Sequence, residues 1–261
     1  MKQLFNDGFT FAKYSLEATA DELLSGSSAH RLLAPAPVDL PHDWLIWQEN
    51  DPYESADAWY ARDLELPEDH DPVVMIRFDG VYMDCDVMLN GETVCTHPYG
   101  YTAFDAPLTG KLKPGKNRLT VHIRHRSPNS RWYSGSGIYR DVTLVTLPED
   151  HMIPDSLYLK ETCGGDAWTL RVSAETAGKT EQPFACRILE QNGKEIASAE
   201  GTCRAGNAEA ELLIPEARPW SPEDPYLYLL EIAYGKQTEV RKIGLRSVSI
   251  DPVNGLLLNG R

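Results

Sequence analysis

Along most of this chain apolar and polar residues alternate with a period of two, in short runs punctuated by Gly, Pro, Asn and Asp. That pattern belongs to half-buried β-strands rather than to helices. The plainest run is Arg118 to Arg126, where Leu119, Val121 and Ile123 alternate with Thr120, His122 and Arg124. Segments 7–13, 58–66 and 72–80 read the same way, with Pro67 closing the second. Asn90-Gly91 stands between Asp86–Leu89 and Glu92–Cys95. Both central residues of a type I′ turn need positive φ, so this predicts a hairpin. Lys113 to Asn117 is a turn, and Tyr99 to Asp105 an aromatic, extended piece. A further strand begins at Ile138, with Ile138, Arg140, Val142, Leu144 and Thr146 on one side. Ala20 to Leu24 allows a turn or two of helix, which Ser25-Gly26-Ser27-Ser28 stops. Three prolines in Ala34 to Trp44 forbid a helix interior and predict a long, irregular surface connection.

Pro148-Glu149-Asp150 reads as a linker. Beyond it, strands are expected at 154–161, 167–176, 183–190, 194–203, 208–214, 226–234 and 237–246, the spacing of a small antiparallel sandwich. Gln191-Asn192-Gly193-Lys194 supplies a second hairpin turn. Trp168 precedes both Cys186 and Cys203 instead of lying between them, which argues against an immunoglobulin-type disulfide. At the end, Gly255-Leu256-Leu257-Leu258 runs into Asn259-Gly260 with only Arg261 after it. A hairpin turn there needs a returning strand, so the expectation is a chain cut short.

Length and charge narrow the classes of function. The 261 residues suggest two domains, and 42% hydrophobic residues suffice for ordinary cores. A formal charge of −14, from 39 acidic against 25 basic residues, argues against nucleic-acid partners, which depend on Lys and Arg for phosphate neutralisation. Neutral sugars stay open. No stretch approaches the apolar length of a membrane span, and the N-terminus lacks a secretory apolar run, which predicts no membrane partner and a cytoplasmic location. Cys85, Cys95, Cys163, Cys186 and Cys203 contain no C-x-x-C pair and read as reduced thiols.

Candidate chemistry concentrates in Arg131 to Arg140, RWYSGSGIYR. Gly135 and Gly137 tolerate positive φ, and Ser134 and Ser136 bond locally to backbone, so Trp132 and Tyr133 are free to face outward. An aromatic plane covers the C–H face of a sugar, and a guanidinium donates to hydroxyls. The competing role for Trp132 and Tyr133 is packing between domains. Asp43 either holds the Pro-rich loop through backbone amides or contacts substrate. Arg140 is expected to pair internally with Asp86 or Asp105, and Trp220 to pack the end of the second sandwich. His122 and His125, three apart on a strand, point to opposite faces, so no metal site is expected and a solvated strand end is the reading. Glu223-Asp224 sits in a Pro-bounded turn facing water, and Asp43 lacks a visible carboxylate partner, so neither reads as a catalytic acid pair.

The motifs resemble glycoside hydrolase family 2, the β-galactosidase and β-glucuronidase family. The resemblance rests on Leu40-Pro41-His42-Asp43-Trp44, Asp86-Val87 with Asn90-Gly91, and Gly100-Tyr101-Thr102-Ala103-Phe104-Asp105. It continues through Ser130 to Arg140, Arg218 to Tyr228, Ile243-Gly244-Leu245-Arg246 and Gly255 to Gly260. The form SRWYSGSGIYR is most similar to the β-galactosidase branch. The resemblance implies an all-β chain: an N-terminal jelly-roll, galactose-binding-like sandwich at 1–148, then an immunoglobulin-like sandwich at 149–247. Residues 248–261 would lead into a TIM barrel that is absent. It implies a retaining β-glycosidase acting on β-galactosides or related oligosaccharides, a homo-oligomer when full length, whose catalytic glutamates lie on the barrel. This chain would be inactive by itself and would need no cofactor. Asn129, Arg131, Trp132, Tyr133 and Asp43 are the implied substrate-binding residues. The other reading kept open is a free-standing carbohydrate-binding module.

Overall fold

The structure is a computed structural model that describes residues 1–17, 29–46, 54–127, 135–165 and 167–261. Among the described residues it is built of strands and turns with no helix. The chain divides into two compact units, Met1–Thr146 and Leu147–Arg261.

Unit 1 holds strands β1 (Lys2–Leu4), β2 (Phe9–Tyr14), β3 (Arg31–Val38), β4 (His42–Asp43), β5 (Ala56–Leu64) and β6 (Val73–Phe78). It continues with β7 (Cys85–Leu89), β8 (Glu92–His97), β9 (Phe104–Pro107), β10 (Asn117–His125), β11 (Gly137–Ile138) and β12 (Val142–Leu147). One sheet has the order β1-β12-β6-β9 and the other β3-β2-β5-β10-β7-β8, while β11 pairs with β4 alone. Alternation decides the faces. Leu119, Val121 and Ile123 of β10 are buried, as are Val74, Ile76 and Phe78 of β6, and they meet Phe9, Phe11, Tyr60 and Val87 in one core. Each such side chain contributes roughly 1.5–3 kcal/mol by leaving water.

Asn90 and Gly91 have φ of 53° and 87°, the conformation expected of the β7–β8 turn. Asn117 then ties two turns together. Its side chain accepts from Lys113 N and Asn90 Nδ2 and donates to the carbonyls of Lys113 and Gly115.

Three expectations need correction. The Pro-rich segment is not irregular throughout, because residues 31–38 form β3, the edge of the larger sheet. Pro35 and Pro37 survive there because an edge strand has one side free of the ladder. His125 is not a solvated strand end but is 1% exposed, and His122 is largely covered, stacked on Trp59 at 4.5 Å. Both belong to a strand that is central in its sheet. The strand expected from Ile138 onward is broken between β11 and β12, so Tyr139, Arg140 and Asp141 bridge two pairings. The possible helical turns at Ala20–Leu24 lie outside the described residues.

Unit 2 contains β13 (His151–Met152), β14 (Tyr158–Gly164), β15 (Ala167–Ala177), β16 (Phe184–Leu189), β17 (Glu195–Glu200) and β18 (Thr202–Arg204). Then come β19 (Asn207–Pro215), β20 (Tyr228–Tyr234), β21 (Gln237–Ile243), β22 (Val248–Asp251) and β23 (Gly255–Leu258). The sheet β13-β15-β19-β18, with β14 also on β15, and the sheet β17-β16-β20-β21 supply Trp168, Leu170, Val172, Ile188, Ile214, Leu230 and Ile232 to a second core. Trp220 packs against Gly244, where a Cβ would fall 2.9 Å from the indole. The leucine run 255–258 is a strand of a hairpin with the residues before it. It pairs back onto Val248–Asp251, and Asn259 is held by Ser247 N and the Trp220 carbonyl. All five cysteines are free thiols, with Cys163 exposed.

Candidate functional site

The site is built where two family motifs meet, at β4 and β11. Asp43 faces Gly137 and His42 faces Ile138. Asp43 Oδ1 accepts from Leu45 N and Ile46 N at 3.1 Å, which closes its own loop, and from Ser136 N at 3.0 Å across 93 residues of chain. Ser136 O accepts from Trp44 N in return. The Ser136 hydroxyl donates to Tyr82 O at 3.0 Å, and Gly137 exchanges both backbone bonds with Tyr82. Gly137 has φ +140°, and a Cβ there would lie 2.2 Å from His42 O and 2.7 Å from the Tyr60 hydroxyl. Glycine is required for this approach. The Tyr60 ring belongs to the core, and its hydroxyl lies 2.7 Å from His42 Nδ1. Burial lowers the His42 pKa, with Asp43 opposing it.

Beside this junction lies a buried polar group that the sequence reading missed. Lys13 occupies the third inward position of β2, after Phe9 and Phe11, and is 5% exposed. Its ammonium is 2.7 Å from Glu54 and 5.0 Å from the centre of the Trp44 ring. A buried cation needs such a partner. The His125 ring meets Trp44 edge-on at 5.7 Å. Burial holds the His125 imidazole below its ordinary range, against the pull of Asp43 and Glu54. Among the described residues, His125 Nδ1 and Trp44 Nε1 are buried without a hydrogen-bond partner. The inward phase of the FTFAK alternation was the one available signal for Lys13.

Of the expected substrate-binding residues, Asp43 stands at the centre of this junction, while Asn129, Arg131, Trp132 and Tyr133 lie outside the described residues. Gly135 and Ser136, the described residues that follow them in the chain, are buried. Asp43 binds backbone amides and Glu54 binds Lys13, so these two carboxylates serve the structure of the junction.

Among the described residues, Arg140 does not form the ion pair expected with Asp86 or Asp105. Asp86 is taken by Arg124, which also grips Asp84 through two bonds of 2.9 and 2.8 Å, and Asp105 is taken by Arg77 at 3.4 Å. The Arg140 guanidinium instead stands 5.2 Å over the Tyr139 ring. His122 lies 3.6 Å from Asp57, which also contacts Arg126 at 2.8 Å. Burial works against the ionised form of Asp57, yet His122 and Arg126 outweigh it and its pKa is lowered. In unit 2, Arg218 holds Asp224, so the adjacent Glu223 and Asp224 do not form a free carboxylic acid pair. Among the described residues no group of three or more His, Cys, Asp or Glu side chains is disposed to hold a metal.

The two sandwiches in series, with a pinned junction between β4 and β11 in the first, define a tandem of all-β domains. Its backbone overlays that of a family 2 glycosyl hydrolase from Bacteroides cellulosilyticus with a TM-score of 0.83 at 23% identity, covering 100% of this chain and 38% of that one. Residues 28–148 match the profile described as "Glycosyl hydrolases family 2, sugar binding domain", and residues 157–246 match "Glycosyl hydrolases family 2". The chain therefore belongs to glycoside hydrolase family 2. It is 33% identical over 258 residues to the β-galactosidase BoGH2A of Bacteroides ovatus, and 27% identical over 256 residues to a β-glucuronidase of Bacteroides fragilis. Each alignment covers 86% of this chain but only 30% and 36% of the respective relatives.

Proposed function

We propose that this chain is the N-terminal, non-catalytic part of a retaining β-glycosidase of β-galactosidase type. It scaffolds a catalytic barrel and contributes one wall of the sugar pocket through Asn129, Arg131, Trp132 and Tyr133. The observation that carries the reading is the Asp43–Ser136 bond, which fixes the chain immediately after that loop to the LPHDW segment. Asp43 then acts as a positioning residue, and the aromatic pair meets the sugar. The higher identity to a β-galactosidase than to a β-glucuronidase supports the choice of galactoside. Cytoplasmic residence and homo-oligomerisation of the parent belong to the same proposal, the first supported by five free thiols. On this reading the chemistry needs two carboxylates roughly 5–5.5 Å apart. These would come from the barrel, so the 261-residue chain alone is expected to release no sugar.

The test joins sequence and kinetics. Reading the coding region past Arg261 should reveal alternating strands and helices with two glutamates in the barrel. In the complete enzyme, Trp132→Ala should lower kcat/KM for a β-galactoside by roughly 10- to 100-fold, about 1.4–2.8 kcal/mol, with thermal stability unchanged. A stop codon at the end of this chain, or hydrolysis by the chain alone, would overturn the reading.

A further inference from the structure

At one end of the larger sheet its inner face turns from apolar to charged. Lys13 of β2 stands opposite Ala58 of β5, and His125 of β10 stands opposite Ala56, all four of them buried. The two alanines are short enough to leave space between Lys13 and His125. Trp44 takes it up, with the ammonium 5.0 Å from its ring centre and the imidazole edge-on at 5.7 Å. Methionine would fill the place of Lys13 without the cost of burying a charge. What the charge adds is direction, because it holds Glu54 at 2.7 Å. Replacing such a pair by apolar residues of similar size is commonly neutral for stability, so stability alone does not account for it.

Glu54 is followed by Ser55, whose hydroxyl accepts from Ser127 N at 2.9 Å. Ser127 is the last described residue before 128–134, and Ser136, beyond that loop, is held by Asp43. Arg126 laces the same place, donating to Ala56 O at 3.4 Å and contacting Asp57 at 2.8 Å. Different carboxylates therefore serve the two stems of the loop, Asp43 the downstream one and Glu54 the upstream one. We propose that the Lys13–Glu54 pair is a positioning device that sets the upstream stem of the 128–134 loop and, through it, the KM for substrate. The effect on KM rests on the reading of that loop as a pocket wall, whereas the effect on the stem rests on contacts within unit 1 alone. A wall that meets the substrate equally in the ground and transition states changes KM rather than kcat. A pair that only stabilised the unit would, once removed, leave less folded enzyme, which lowers kcat at constant KM.

The experiment removes both charges together, Lys13→Met with Glu54→Leu, so that neither is left buried and unpaired. Urea unfolding should then place the unit 1 midpoint at or above that of the unaltered chain. Amide hydrogen exchange of Ser127 in the 261-residue chain should nevertheless quicken by roughly tenfold through local opening, with Ser136 unchanged. In the complete enzyme the same double variant should raise KM for a β-galactoside by roughly three- to tenfold, with kcat held within about twofold. Added to Trp132→Ala, it should raise KM no further, because both changes act through one loop. Unchanged Ser127 exchange would overturn the proposal, as would a fall in kcat at constant KM, which marks a merely stabilising pair. A KM effect that multiplies with that of Trp132→Ala would also refute it. If Trp132→Ala by itself leaves KM unchanged, the pocket-wall reading is the one that fails, and Ser127 exchange still decides the stem.

Discussion

Replacing Asp43 by alanine should unfold unit 1 at a markedly lower denaturant concentration while leaving unit 2 where it was. The size of the effect follows from three donors. Leu45 is 1% and Ser136 0% exposed, so their N–H groups lose an acceptor that water does not readily replace, whereas Ile46 is exposed and is rehydrated. A buried donor left unsatisfied costs about 1–3 kcal/mol, so two give roughly 2–5 kcal/mol after partial relaxation. With a mid-range urea slope of about 2 kcal/mol per molar, the unit 1 midpoint should fall by roughly 1–2.5 M. The two units permit separate transitions, so the assay follows urea unfolding by circular dichroism and tryptophan fluorescence and fits each transition separately. Asp43→Asn keeps an oxygen in the accepting position and should cost less than about 1 kcal/mol. If the asparagine variant is as damaged as the alanine variant, the backbone-amide account of Asp43 is wrong. Equal shifts in both transitions would likewise refute it.

Other consequences are equally direct. Gly137→Ala forces a Cβ to within 2.2 Å of His42 O at a φ of +140°, and unit 1 should lose about 3 kcal/mol or more in the same urea assay. The Asp150 carboxyl accepts from the Thr180 hydroxyl and amide, Lys179 N and the Gln182 side chain, which hold its pKa at about 2. Since the unfolded value is about 3.9, its stabilising effect is complete above that pH and disappears as pH falls from about 4 to 2. Acid unfolding of Asp150→Asn should show less of this dependence in that window. A thiol reagent on native protein should label Cys163 first, since it is exposed, while burial raises the Cys85 and Cys186 thiols to about 12. Peptide mapping that finds Cys85 or Cys186 modified before Cys163 would contradict the burial described here.

How far the sequence could be read depended on the range of the interaction. The β7–β8 hairpin and the faces of β10 follow from neighbours in the chain, so Asn90-Gly91 and the Leu119, Val121, Ile123 alternation were legible. The burial of His125 was not, because polarity marked it as solvated while its position on a central strand put it against Trp44. Arg140 was assigned to Asp86 or Asp105 on charge alone, but Arg124 and Arg77 stand on strands paired beside those acids and reach them first. The leucine run at 255–258 pairs with residues that precede it, a choice local pattern leaves open in either direction. At the candidate site, Asp43 could be named for its two possible roles. The three bonds that give it the first depend on Ser136, which only the fold brings near.

The prolines of β3 carry a consequence for how copies of this protein meet. Leu32 and Leu33 are about half exposed on a strand that ends the larger sheet, which is the setting in which a second chain adds itself by backbone pairing. Pro35 and Pro37 withhold two amide donors from that edge, so an incoming strand would find an interrupted ladder. The segment thus guards against fibrous self-association, and replacing both prolines with threonine would complete a sticky border along the first sandwich.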